Sequence, residues 1–226
     1  MARRNQLSVL LLILCLLAGP RPVWPGTLCV PAGQPHLRAA LARALAGDTI
    51  LVAPGIYRGP GNRDLDFGGK DLVLIGADGA AATVIDCEGR GRGFVFRGGE
   101  TQACLVRGFT VTGARALGFG AAGKGAGLYC GAASPRVEAC VFAGGEADFG
   151  GGLGAEGGAR PLLRGCLFLG NRARLDGGGL YLRDAAPRLE DCALTRNRAG
   201  AAGDEAFLID AAPVFTRCRR QGAAGG

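Results

Sequence analysis

Pro187-Arg-Leu-Glu-Asp-Cys192-Ala-Leu-Thr-Arg-Asn197 repeats the frame of Pro161-Leu-Leu-Arg-Gly-Cys166-Leu-Phe-Leu-Gly-Asn171, 26 residues earlier. The same frame returns at Pro135 with Cys140 and at Pro213 with Cys218. A fixed period of roughly 20 to 50 residues marks a solenoid, in which no unit can bury its apolar face alone and stacking completes the core. Columns read across the copies sort the side chains. Val137, Leu163, Leu189 and Phe215 form one apolar column, Phe142, Phe168 and Leu194 a second, and the cysteines a third. Glu138, Arg164, Glu190 and Thr216 lie one place after the first column, so they point the other way, toward water. Proline at the first residue of a strand is tolerated because its missing N–H is not needed there. Three apolar columns per period predict about three short strands per coil, stacked in parallel at roughly 4.8 Å. The expected fold is all-β, a right-handed parallel β-helix of about seven coils, its hand following the crossover rule.

Composition agrees with that architecture. Gly accounts for 42 of 226 residues and aromatic residues for 6%, while 48% of the chain is apolar, a balance that suits tight-turned β structure better than disorder. The chain opens with Arg3 and Arg4 followed by an apolar run at 7–18, too short to span a bilayer but suited to a signal peptide. Residues 1–26 are therefore expected to be an export signal, processed at 18–26. Its removal takes away three arginines and no acids, so the net charge falls from +7 to 23 − 19 = +4. Only Lys70 and Lys124 are lysines. A mild, dispersed arginine excess on an exported chain argues against a nucleic-acid partner, and no transmembrane span is expected after signal removal.

Residues 27–57 are expected to form an N-terminal unit. A strand at 27–30 leads to a turn, and Leu37, Ala40, Leu41, Ala44 and Leu45 then recur at helical spacing over 36–46, with Gly47 as a left-handed stop. A short amphipathic helix here would cover the first open end of the solenoid. Residues 58–226 form the coils. Apolar segments come irregularly at 72–75, 83–85, 94–96, 104–106 and 109–111, and the strict 26-residue repeat begins near 125. The second apolar column breaks at Arg220, so the last coil is expected to be incomplete. Arg217, Arg219 and Arg220 would then guard an edge, or mark a place for docking or end-to-end association.

The stretch His36-Leu-Arg-Ala-Ala-Leu41, with Ala46-Gly-Asp-Thr-Ile-Leu-Val-Ala-Pro-Gly-Ile-Tyr57, resembles the opening of pectin-lyase-like parallel β-helix proteins. Val84-Ile-Asp86 and Gly108-Phe-Thr-Val111 extend that resemblance. The Gly-Gly-x-Leu and Phe-x-x-Asn stretches, near Gly178 and at Phe168–Asn171, resemble repeats of bacterial polymorphic outer-membrane proteins. The resemblance implies a secreted, periplasmic or cell-surface bacterial protein. Its enzymes use calcium-binding carboxylate clusters with an Arg or Lys base, or paired aspartates with His, Gln or Arg. None of those motifs is matched here, so no catalytic residue is carried over.

The chemistry-bearing residues read mostly as structure. Eight cysteines remain after signal removal. Cys140, Cys166, Cys192 and Cys218 stand in one inward column, where in-register Cβ vectors run parallel instead of converging. A thiol ladder is favoured over stacked disulfides, and the absence of CxxC spacing or a His partner disfavours a zinc site. Asn171 and Asn197 share a column and are expected to sit at left-handed turns and bond from coil to coil. Asp184 and Asp210 each precede Ala-Ala-Pro and are the candidate ligand-binding pair. Two carboxylates fall short of a calcium sphere, so calcium is a weak candidate and no other cofactor is implied; acceptance of N–H bonds in the turn before the proline is the favoured reading. His36, the only histidine, has no partner for catalysis. The expectation is a non-catalytic exported β-helix for surface display or recognition of a glycan or a cell-surface protein. The alternative is a polysaccharide lyase or epimerase.

Overall fold

The computed structural model describes residues 25–221, so the expected signal segment lies outside the described residues except for its last two positions. Every strand pairs in parallel, and the chain winds as a β-solenoid. One regular coil shows how the sequence produces it. Arg188–Glu190 enters sheet 1, Ala193–Thr195 sheet 2, Arg198–Ala199 sheet 3 and Ala206–Ile209 sheet 4, before Val214–Thr216 rejoins sheet 1. Sheets 1 to 4 hold eight, seven, four and six strands. Seven coils thus contribute to both sheet 1 and sheet 2, and the eighth strand of sheet 1 is Thr27–Val30, ahead of the helix.

The column alignment read from the repeat is the observed register. Val137 pairs with Leu163, Leu163 with Leu189 and Leu189 with Phe215, while Phe142, Phe168, Leu194 and Arg220 follow one another in sheet 2. The inward residues are fully buried up to Leu189 and Leu194, whereas in the last coil Phe215 is half-buried and Arg220 exposed; the Phe142 and Phe168 rings stack at 5.2 Å with 15° between planes. On the outer face of sheet 1, Arg164 lies between Glu138 and Glu190, reaching them at 3.9 and 2.8 Å, an opposite-charge arrangement of the kind that favours cross-strand neighbours.

Two expectations need correcting. The coils have a fourth strand wherever sheet 3 forms: Arg115–Ala116, Glu146–Ala147, Arg172–Ala173 and Arg198–Ala199. Each is two residues long with one alanine on its inner side; Ala147, Ala173 and Ala199 keep the 26-residue step, but alanine alone is a weak mark of a buried column. The helix is also shorter than 36–46, spanning Leu37–Arg43. His36 caps its start by accepting the Ala39 N–H at Nδ1, 3.1 Å. At the other end Ala44 is already extended and Leu45 points to solvent, 55% exposed. Lys70 Nζ donates to the terminal carbonyls of Leu41 and Ala44, satisfying groups that the helix leaves open. Asp48 accepts the Leu45 and Gly26 N–H groups, turning the chain back toward the strand Thr49–Val52. Leu37, Ala40 and Leu41 bury the inner face of the helix in the same core as the coils. Among the described residues no helix is long and apolar enough to cross a membrane.

Candidate functional site

The structure brings the ladder residues together inside the solenoid. Cys140, Cys166 and Cys192 are buried and Cys218 is half-buried, one per coil, and all eight cysteines among the described residues are free thiols. Burial pushes Cys140 up to about 12. The contact between Cys166 and Cys192 raises the Cys166 thiol, with burial adding to it, and lowers that of Cys192 against its burial. Thiols in this setting behave as small hydrophobic groups and not as nucleophiles.

Asn171 and Asn197 form a second internal stack. Asn171 Nδ2 donates to Phe142 O at 2.9 Å and to Asn197 Oδ1 at 3.0 Å, and its Oδ1 accepts the Gly145 N–H at 2.9 Å. Asn197 repeats the pattern with Phe168 O and the Asn171 N–H, and its Nδ2 also donates to Glu205. The left-handed conformation at this corner belongs to the preceding residue, Gly170 (φ 61°) or Arg196 (φ 57°), instead of to the asparagines. The asparagines point inward and tie the backbones of successive coils.

Asp184 and Asp210 are exposed at another left-handed corner, with φ of 47° and 48°. Ala132 and Gly158 fill the same corner in the coils before, at φ 51° and 78°. A position that alanine and glycine also fill is set by backbone conformation and not by a carboxylate accepting N–H bonds; aspartate is one of the few side-chain-bearing residues that tolerate it. No group of three His, Cys, Asp or Glu placed to hold a metal occurs among the described residues.

A concave feature lies elsewhere. In three regular coils the link from sheet 3 to sheet 4 takes five or six residues: 148–152, 174–179 and 200–205. In the coil before them it takes eleven, 117–127, and contains a 3-10 turn at Gly120–Gly123. The longer link swings outward at Gly118 (φ 135°) and Gly120 (φ 62°) and leaves Phe119 fully exposed between them. Against it lie Asp148 and Phe149 of the next coil and Arg174 and Leu175 of the one after. Together they line an open cleft of about 550 Å³. Phe149 and Leu175 share one column and Asp148 and Arg174 another, so two coils present an apolar and a polar row side by side. Arg174 Nη1 stands 3.6 Å from Asp148 Oδ1, and Asp148 Oδ2 accepts the Gly118 N–H at 2.8 Å. Arg174 is 60% exposed and Leu175 45%, so both reach a ligand from solvent.

Beneath the turn, on the outer face of sheet 4, lies a group of interlocked side chains. Lys124, 9% exposed at its side chain, is ion-paired with Glu156, and Glu156 Oε1 accepts the Tyr129 hydroxyl at 2.8 Å. Burial alone would raise the Glu156 carboxyl, but the Lys124 and Tyr129 hydrogen bonds hold it below its usual range. The Tyr129 hydroxyl is pushed up by burial and then by Glu156. Lys124 also lies 5.7 Å from the Tyr181 ring, which packs against Phe149 at 4.9 Å. Gly154 is what lets the turn lie flat here: a Cβ would sit 2.7 Å from Gly125 N and 3.1 Å from Lys124 C.

Of the cleft residues the sequence marks only Asp148, an aspartate in a glycine-rich loop open to the same calcium or turn reading as Asp184, while Phe119 falls within the irregular loops of 58–125 where a site is to be sought. The available signal was an aromatic residue between two glycines, Gly118-Phe119-Gly120, in the one link that departs from the spacing. No family model matches the chain, and no curated protein or solved structure is significantly similar to it.

Proposed function

We propose that this is an exported, non-catalytic β-helix protein that recognises a glycan in the cleft between Phe119, Phe149 and Leu175. The observation that carries this reading is the pairing of apolar walls with a solvent-reachable Asp148–Arg174 pair in one cleft of binding-site size. Aromatic faces take the C–H faces of a sugar ring, and a carboxylate beside a guanidinium offers both an acceptor and donors to its hydroxyls. The resemblance to pectin-lyase-like proteins and the apolar run at 7–18 support a glycan-rich extracellular setting. The alternative, a lyase or epimerase, needs a base free to take a proton near the ligand. Lys124, whose backbone bridges to Phe149, is instead committed to Glu156, which favours binding over turnover.

The test is retention of the processed protein on an array of bacterial, plant and animal glycans, with Phe119→Ala and Phe149→Ala beside it. Retention that both substitutions reduce at least tenfold is the expected result. Retention indifferent to both would move the site away from the cleft. New unsaturated ends, seen by ultraviolet absorbance on incubation with polysaccharides, would establish the enzyme instead.

A further inference from the structure

We infer that Arg92, Lys124 and Glu156, none of which lines the cleft, are its positioning residues, holding both of its walls in one preset arrangement. Arg92 belongs to the coil before the inserted turn, and its guanidinium reaches up beneath the turn. Nε donates to Lys124 O at 3.0 Å, and Nη2 donates to Ala122 O at 2.7 Å and to Ala121 O. One planar fork thereby satisfies three carbonyls of the segment that carries Phe119. The guanidinium also lies 5.3 Å from the centre of the Tyr129 ring, and the Arg92 N–H is fixed by Asp64 Oδ1 at 2.8 Å. The fork is half-buried and its backbone is anchored, so it has one place to be.

Lys124 closes the other side. Its ammonium is ion-paired with Glu156, whose second oxygen holds Tyr129, the ring under Arg92. Phe149 N donates to Gly123 O at 2.9 Å, and Gly125 N donates to Phe149 O at 2.9 Å. The turn that bears Phe119 is therefore bonded through its backbone to the residue that forms the opposite wall. The same lysine packs against Tyr181, which backs the Phe149 ring. An eleven-residue link with three positive-φ glycines, Gly118, Gly120 and Gly125, has the freedom to wander. The Arg92–Tyr129–Glu156–Lys124 group removes that freedom before a ligand arrives, which lowers the ordering cost of binding.

The inference rests on the cleft being a binding site, and its test separates the two. Hydrogen exchange is measured by mass spectrometry on the processed wild type, Arg92→Ala, Arg92→Lys, Glu156→Gln and Tyr129→Phe, with no ligand present. Exchange at 118–123 is expected to rise about tenfold in Arg92→Ala and Glu156→Gln, with the coils at 162–195 unchanged. Arg92→Lys is expected not to restore protection, since an ammonium cannot span three carbonyls as the fork does. Tyr129→Phe, which removes one hydroxyl, is expected to stay close to wild type. Unchanged exchange at 118–123 in both Arg92→Ala and Glu156→Gln overturns the inference, as does an equal rise in every coil, which would mean a general loss of stability. Glycan retention is then read on the same proteins. Retention in wild type lost together with protection supports the positioning role, and retention kept in a loosened Arg92→Ala overturns it. Retention absent in every protein, with protection lost as expected, refutes the glycan reading and leaves the clamp standing.

Discussion

The coils from 135 onward and the coil that carries residues 117–127 are built from the same four-sheet plan, yet the second adds the long link that turns two rows of the first into a cleft. In the regular coils several inward columns stack like on like: thiol on thiol, amide on amide, Phe142 on Phe168. Identical neighbours one strand spacing apart fill the interior and leave a flat exterior. Concavity appears where one coil differs from the next, because the longer link cannot follow the surface of its neighbour and stands away from it. Regularity therefore carries the stability of this solenoid, and the departure from regularity carries its candidate chemistry.

The strongest way to break that contrast is to make the same substitution in both places. Phe168→Ala, which opens a cavity beside Phe142 in the stack, is expected to cost about 3–5 kcal/mol in urea unfolding. Phe119→Ala is expected to leave the unfolding midpoint where it was, since the ring is fully exposed. Similar costs for the two would mean that the cleft belongs to the structural core. Asn171→Ala tests the amide stack next. It strands the buried Gly145 N–H and Phe142 carbonyl, for an expected loss of about 2–4 kcal/mol by the same measurement. A loss near zero would show that water takes over those bonds.

Alkali sharpens the comparison through the thiols. Burial raises Cys87, Cys104 and Cys140 from an ordinary 9.0 to about 12, so the folded chain keeps protons that the unfolded chain releases. Stability from these groups is fully present below pH 9 and falls as pH rises from about 9 toward 12, by about 1 kcal/mol per thiol at pH 10. The check is chemical unfolding across that range, with thiol labelling of the native protein. Cys29, the exposed one, is expected to react quickly and the buried ones only in denaturant. Rapid native labelling of Cys140 would contradict the buried ladder. The smallest effect is expected at Asp184→Gly. Glycine suits φ 47° at least as well as aspartate, so stability should change by no more than about 0.5 kcal/mol, and added calcium should not shift the melting temperature of either protein. A calcium-dependent shift that the substitution removes would make Asp184 a ligand.

Much of the fold was legible because the period of 26 aligns chemically similar residues, and in-register stacking is the simplest arrangement that buries them together. The inward columns, the cysteine stack and the asparagine stack could be read that way. Sheet 3 was missed although Ala147, Ala173 and Ala199 keep the 26-residue step, since a single alanine in a two-residue strand is a weak mark of burial. The end of the helix was misplaced because Leu45 fits the helical spacing, while the Asp48 carboxylate, three residues on, captures the Leu45 N–H and turns the chain. The left-handed conformation of Asp184 was missed because an aspartate ahead of Ala-Ala-Pro reads first as an acceptor of turn N–H bonds.

The sequence by itself determined the solenoid, its coil length and which columns face inward, because burial in a repeating stack depends only on residue type and position within the period. Where the cleft lies is a matter of tertiary structure. Phe119, Asp148, Phe149, Arg174 and Leu175 come from three successive coils, and Arg92 acts on them from the coil before. Their meeting depends on how far an eleven-residue link lifts away from the stack and on what clamps it, a matter of three-dimensional packing that no spacing along the chain records.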